Sequence, residues 1–220
     1  MGKILNIDEV NKIKNDLIYG TSPKRRAAAK KIGKLNIKEL ENELLECYIK
    51  EKSDSRTWET QVEMIRALGK IKALPAIILM EEIIKDPKKD ASTTVAATIA
   101  YIRLKRSDNN DATPIIELIS KNPNRSILDG SLSVLAFDDM IPSTEQINAV
   151  LDFVEKSEKY LDEFYIKGTT DPRIHVLSAS VNWDKNIPKL QALIDRASQN
   201  PRINQYMDRI IKGKKAPFIE

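Results

Sequence analysis

Apolar residues recur along this chain at the three- and four-residue spacing of helices, and seldom at the two-residue spacing of strands. Residues 4–19 place Ile13, Leu17 and Ile18 on one face and predict a first helix. Gly20-Thr21-Ser22-Pro23 breaks the chain and restarts it, with Ser22 as a cap and Pro23 suited to the first helical position. Residues 23–35 present Ala27, Ala28, Ile32 and Leu35 inward, and Asn36 ends them. Ile37, Leu40, Leu44, Leu45 and Tyr48 then form the stripe of a partner helix. The cycle repeats. Helix 56–71 buries Val62, Ile65 and Leu68 and pairs with 74–85; 91–105 pairs with 113–121, and 125–137 with 143–157. Asp86-Pro87 and Asn122-Pro123 supply breaks, because the residue before proline avoids the helical region, and Ile141-Pro142-Ser143-Thr144 adds a break and a cap. A less regular fifth unit follows. A helix over 158–167 runs into the turn cluster Gly168-Thr169-Thr170-Asp171-Pro172, then come helices over 173–182, 186–199 and 201–212 and a loose tail from Lys214.

Within this pattern the chain echoes itself. Ile32-Gly33, Leu68-Gly69, Ile99-Ala100 and Leu135-Ala136 occupy like places late in four helical segments, at spacings of 36, 31 and 36 residues. Helices approach to about 8–10 Å only where small side chains face each other, and a mid-helix glycine costs about 1 kcal/mol against alanine. Close packing is one reason to keep glycine there; helix termination is the other, since Gly33 and Gly69 both lie near predicted ends. Either role predicts an α-solenoid.

The unit of helix, short turn, antiparallel helix and Pro- or Asp-containing break resembles the HEAT-repeat family, over roughly residues 21–199. The small residues and the breaks carry the resemblance; the family's Asp-Val-Arg signature does not stand cleanly in this chain. The resemblance implies an all-α fold, a right-handed α-solenoid of about five HEAT-like antiparallel helix pairs. Residues 1–220 then form a single domain: a capping helix over 1–20, repeats over 21–199, and a C-terminal helix and tail over 200–220. Such a likeness is architectural and does not by itself give a function.

Composition narrows the classes. With 220 residues, 41% of them hydrophobic and only 7 glycines, the chain can bury a core without a metal or disulfide. The single cysteine, Cys47, fits a reducing, cytoplasmic setting. The start holds no apolar run of signal-peptide length, and no stretch approaches the 18 apolar residues of a membrane span. The net charge of +4 is unevenly spread. Residues 134–171 carry 3 basic and 9 acidic side chains, a balance of −6, while the segments on either side each stand at +5. Blocks of opposite sign can steer a charged partner.

Catalysis has little to stand on. His175 is the sole histidine; it could pair with Asp171, but no nucleophile stands beside it, and it reads as a helix-surface or packing residue. Cys47 has acidic company in Glu46, which raises a thiol pKa, and reads as a filler. One Cys and one His cannot make a zinc site, and no Gly-rich phosphate loop occurs, so no metal or cofactor is expected. Adjacent acids such as Asp138-Asp139 point about 100° apart on a helix and make poor acid–base couples.

Two charged features stand out. The first is the basic run Lys24, Arg25, Arg26, Lys30, Lys31, Lys34 and Lys38, in which Arg26, Lys30, Lys34 and Lys38 share a face. It suits nucleic-acid phosphates, or it is a solvated face neutralised by Glu39, Glu41, Glu43 and Glu46 of the following helix. The second is the acidic, aromatic segment 137–165, where Asp138, Asp139, Asp152, Glu155, Glu158, Tyr160 and Phe164 are candidate partner-binding residues. Its other reading is core aromatics such as Phe153 under solubilising acids. Arg173, Trp183-Asp184 and Trp58 raise a likeness to HEAT-like alkylpurine DNA glycosylases, but no motif of that group maps onto them, and both tryptophans read as packing residues. The expectation is a non-catalytic protein-binding module: an adaptor, or an inhibitor or immunity-type protein, gripping a partner on its curved face. That partner is a protein, basic in the inhibitor version (a toxin or an enzyme), and no membrane is involved. The alternative is a nucleic-acid-binding HEAT-like protein of the glycosylase kind.

Overall fold

The computed structural model describes residues 6–87, 91–121, 124–166 and 168–217, and among them no strand occurs. Twelve α-helices account for most of these residues, and their packing divides the chain into two compact units, Met1–Lys105 and Arg106–Glu220. The sequence pattern treats 1–220 as one domain; the division falls at the start of the polar stretch Arg106–Asn110.

The first unit holds α1 (Ile7–Tyr19), α2 (Ser22–Leu35), α3 (Glu41–Glu51), α4 (Trp58–Lys70), α5 (Ile77–Lys85) and α6 (Ala91–Lys105). Short 3₁₀ turns at Lys38–Leu40, Ser55–Thr57 and Leu74–Ala76 lead into α3, α4 and α5. Asn36 takes the left-handed conformation (φ 52°) and closes α2 through its N–H to the Ile32 carbonyl, as an Asn cap can. Ser22 does not cap: Thr21 holds that position, and Ser22 lies inside the helix, where its hydroxyl meets Glu51 Oε1 at 2.9 Å and Thr60 Oγ1 at 2.7 Å.

The packed pairs are α1–α2, α3–α4 and α5–α6, one helix out of step with the pairing the breaks predict. A break shows where the chain turns, not which of its two neighbours a helix packs against. α2, α4 and α6 stack in sequence, and α1 rests on α3. The buried face of α2 is Ala28, Ala29 and Ile32, turned away from Ala27 and Leu35, which are exposed. On α4, Val62, Ile65 and Leu68 are buried as the periodicity predicts, with Met64 and Ala67 beside them.

The small residues mark the crossings. A Cβ on Gly33 would stand 3.1 Å from the Ala67 Cα, and one on Gly69 would stand 2.7 Å from the Ala100 Cα. Gly69 is therefore excluded from carrying a side chain by the backbone of α6, which is the close-packing role rather than a helix stop.

The second unit holds α7 (Thr113–Lys121), α8 (Arg125–Phe137), α9 (Thr144–Glu163), α10 (Pro172–Ala179), α11 (Pro188–Gln199) and α12 (Pro201–Ile211). α8 packs on α7 and α10, α9 on α7 and α11, and α12 on α10 and α11. α9 is one helix of 20 residues, not a helix over 143–157 followed by another over 158–167. A capping box between Ser143 and Gln146 starts it, and the apolar stripe Ile147, Val150, Val154 runs on in register to Leu161. The break at Asn122-Pro123 and residue Lys167 lie outside the described residues. Residues 214–217 are tied down rather than loose: Lys215 Nζ donates to the Ala136 carbonyl at 2.5 Å, and the Ala216 N–H to Ser178 Oγ at 3.1 Å.

Candidate functional site

Because Ser22 meets Thr60 at one end and Gly33 meets Ala67 at the other, α2 and α4 run parallel. Between them lies an open groove of about 550 Å³, large enough for a peptide segment. Pro23, Ala27 and Val62 are its apolar lining, with Val62 buried and Pro23 and Ala27 exposed; Arg26, Lys30 and Arg66 stand along it, and Trp58 and Ser92 of α6 also line it. Trp58 is 42% exposed, so it is a surface residue and not the packing residue the sequence predicts. It opens α4 at the first residue, one turn before Val62 on the same face of the helix.

The charges of this groove divide sharply. Arg25 is consumed by the fold: its guanidinium reaches Glu51, itself 6% exposed, at 2.7 and 2.8 Å and the Gly20 carbonyl at 2.6 Å. Arg26 pairs with Glu59, and Arg66 with Glu63 at 2.8 Å. Lys24, Lys30, Lys31, Lys34 and Lys38 are exposed, and no carboxylate among the described residues lies within ion-pair distance of any of them. Glu39, Glu41, Glu43 and Glu46 do not neutralise the run. Glu43 pairs instead with Lys14 of α1 at 2.5 Å, and the α3 acid that reaches α2, Glu51, is taken up by Arg25 and Ser22. The two acids lining the groove are already answered by arginines, so Lys30, the one lysine in its lining, sets its sign.

The acidic candidates of the second unit are arranged the opposite way. Asp152 pairs with Lys189 of α11, while Glu155 and Glu158 share Arg196 at 3.5 and 3.0 Å. Asp138 meets Arg106 at 2.8 Å, and Asp139, in the left-handed conformation, meets Lys215 at 2.5 Å. Tyr160 and Phe164 stack on each other with ring centroids 4.9 Å apart, and Phe164 remains exposed beside Tyr165. Arg202 covers the Tyr165 ring at 4.6 Å. Phe153 is half-buried, while Val150 and Val154 form the core beneath it.

The remaining candidates have structural roles. His175 is buried with Nε2 3.2 Å from Asp129 Oδ1 and its ring edge-on to Phe137, so it does not pair with Asp171. Asp171 caps α10 and grips Arg173 with both oxygens, at 2.9 and 2.7 Å, and Arg173 also reaches Asp162 at 2.6 Å. Burial works against the Arg173 cation, but the hydrogen bonds to Asp171 and Asp162 outweigh it and raise its pKa. Trp183 is buried and donates its indole N–H to the Met140 carbonyl at 2.8 Å. Cys47 is buried against the Leu17 carbonyl, and burial pushes its thiol pKa up, away from the reactive thiolate. Among the described residues no cluster of three or more His, Cys, Asp or Glu could hold a metal ion, and no helix is long and apolar enough to cross a membrane.

The Arg66 side of the groove is not singled out by the sequence pattern, yet a signal exists. The 36-residue echo that relates Gly33 to Gly69 also relates Lys30 to Arg66 and Lys34 to Lys70. A basic side chain thus recurs at like positions of two stacked helices. Compared with protein-family models, with characterised proteins and with solved structures, the chain matches none.

Proposed function

We propose that this chain is a non-catalytic protein-binding module, of the adaptor or inhibitor kind, built as a right-handed HEAT-like solenoid of about five helix pairs. The stack of α2, α4 and α6 in the first unit supports the solenoid reading, as do the small-residue crossings that repeat along it. The observation that carries the binding reading is the α2–α4 groove, apolar lining beside an exposed tryptophan and Lys30, which with the neighbouring α2 lysines has no ion-pair partner among the described residues. Exposed tryptophan and basic side chains around a concavity are the usual anchors of a protein interface. The titratable groups that would serve chemistry, His175, Asp171 and Cys47, are each buried in contacts that hold the fold.

The test is a pull-down of the tagged chain from its own cells, comparing native protein with the Trp58→Ala variant, each with and without nuclease. The reading predicts a protein partner that survives nuclease and is lost with Trp58→Ala. Recovery that disappears on nuclease treatment would instead favour the second reading, nucleic-acid binding, for which the lysine row of α2 is the specific observation. That reading further predicts affinity falling steeply with salt as counterions are released.

A further inference from the structure

Resting on the protein-binding reading, we infer that the α2–α4 groove takes an extended acidic segment of a partner polypeptide, its carboxylates on Lys30 and Lys34 and a bulky side chain on Trp58. The geometry sets the length. From Pro23, at one end of the groove, to Lys34, one turn beyond its Lys30 end, α2 rises about 17 Å at 1.5 Å per residue. An extended strand covers that distance in about five or six residues. Its charge follows from what the groove has left over. Glu59 and Glu63 are matched by Arg26 and Arg66, whereas Lys30, which lines the groove, and Lys34, one turn beyond it on α2, have no carboxylate within reach among the described residues.

The lining decides between polypeptide and nucleic acid. Pro23, Ala27 and Val62 offer apolar surface beside Arg26, Lys30 and Arg66, and Glu59 and Glu63 line the same groove. A phosphate backbone would run its charges past those two carboxylates and would leave the apolar lining uncovered. A peptide alternates its side chains, so carboxylates can reach the lysines while apolar groups face the apolar lining. Trp58, 42% exposed at one end, presents an indole face for an aromatic or aliphatic residue of the same segment.

The test uses acrylamide quenching of tryptophan fluorescence, since Trp58 is exposed and Trp183 is 4% exposed. The intact chain is titrated with a random Glu/Tyr copolymer, with polylysine and with single-stranded oligothymidine. The inference predicts that the acidic copolymer shields the quenchable tryptophan and that the other two do not. Trp58→Phe removes the signal, and the Lys30→Glu/Lys34→Glu double variant weakens copolymer binding by about tenfold or more while the helical circular dichroism is kept. Shielding by polylysine would overturn the acidic occupant and leave the protein-binding reading standing. Shielding by oligothymidine that is lost in the double variant would overturn both. Copolymer binding that ignores the double variant, or no shielding by any probe, would overturn the inference.

Discussion

On α2, the two arginines meet Glu51 and Glu59, while Lys24, Lys30, Lys31 and Lys34 meet no acid among the described residues. On α9, Asp152 meets Lys189, and Glu155 and Glu158 share Arg196. Read along the chain, the first is a basic run and the second a mainly acidic one interrupted by Lys156 and Lys159, and each is a candidate docking surface. In the fold they differ, because α11 brings bases across to the α9 acids, whereas the α3 acid that reaches α2, Glu51, is taken by Arg25 rather than by a lysine. Charge left over after folding, rather than charge density in sequence, marks the surface available to a partner.

The comparison can be sharpened first where charge is most deeply committed. Asp171 is 2% exposed and holds Arg173 in a two-oxygen grip, so Asp171→Ala leaves a buried cation with only Asp162. A loss of about 3–5 kcal/mol in urea unfolding is expected. A loss below about 1 kcal/mol would show that the second unit does not need its internal ion pairs.

Packing under the groove comes next. Gly69→Ala gains helix propensity but drives its Cβ to 2.7 Å from the α6 backbone; a net cost of about 1–2 kcal/mol is expected by thermal unfolding. Gly33→Ala meets Ala67 at 3.1 Å and the flexible Lys70 side chain, and should be close to neutral. Equal costs for the two would contradict the stacking drawn for α2, α4 and α6.

Neutralising Asp152, Glu155 and Glu158 together removes exposed pairs, each expected to contribute less than about 1 kcal/mol. The melting temperature should fall modestly. A rise would mean that these acids repel one another more than Lys189 and Arg196 satisfy them.

Acid sensitivity gives a smaller effect. The Asp111 carboxylate accepts from the Ser107 N–H at 3.0 Å and the Thr113 N–H at 2.9 Å, and these bonds outweigh burial to hold its pKa below the ordinary range. A depressed folded pKa stabilises above the unfolded value and is lost as pH falls, so stability should decline below about pH 4. Asp111→Asn should flatten that decline in acid titrations followed by circular dichroism. An unchanged acid limb would remove Asp111 from the account.

Much of the fold was legible because helix starts and stops are local. Asn36, Ser143 and the prolines act within a turn of their own positions, and α6, α7 and α8 begin and end where the pattern places them. Pairing was not legible, since nothing local to α2 says whether it packs on α1 or α3. The continuity of α9 was missed because the aromatic and charged residues after Ser157 mask the apolar stripe that ends at Leu161. Trp58 reads as a packing residue because large aromatic residues are usually buried and it shares a helix face with Val62 and Ile65, yet at the first residue of α4 it stays exposed. The partners of the charged residues, such as Glu59 for Arg26 or Arg196 for Glu158, lie 33 and 38 residues away and could not be read before the helices were stacked.

The most direct measurement sets two charge reversals side by side, Lys30→Glu/Lys34→Glu on α2 and Asp152→Lys/Glu155→Lys/Glu158→Lys on α9. For each, affinity for the acidic Glu/Tyr copolymer and melting temperature are determined together. The account predicts that the α2 variant loses binding and keeps its melting temperature, while the α9 variant keeps binding and melts lower. The opposite pattern, binding lost only with the α9 reversal, would contradict it.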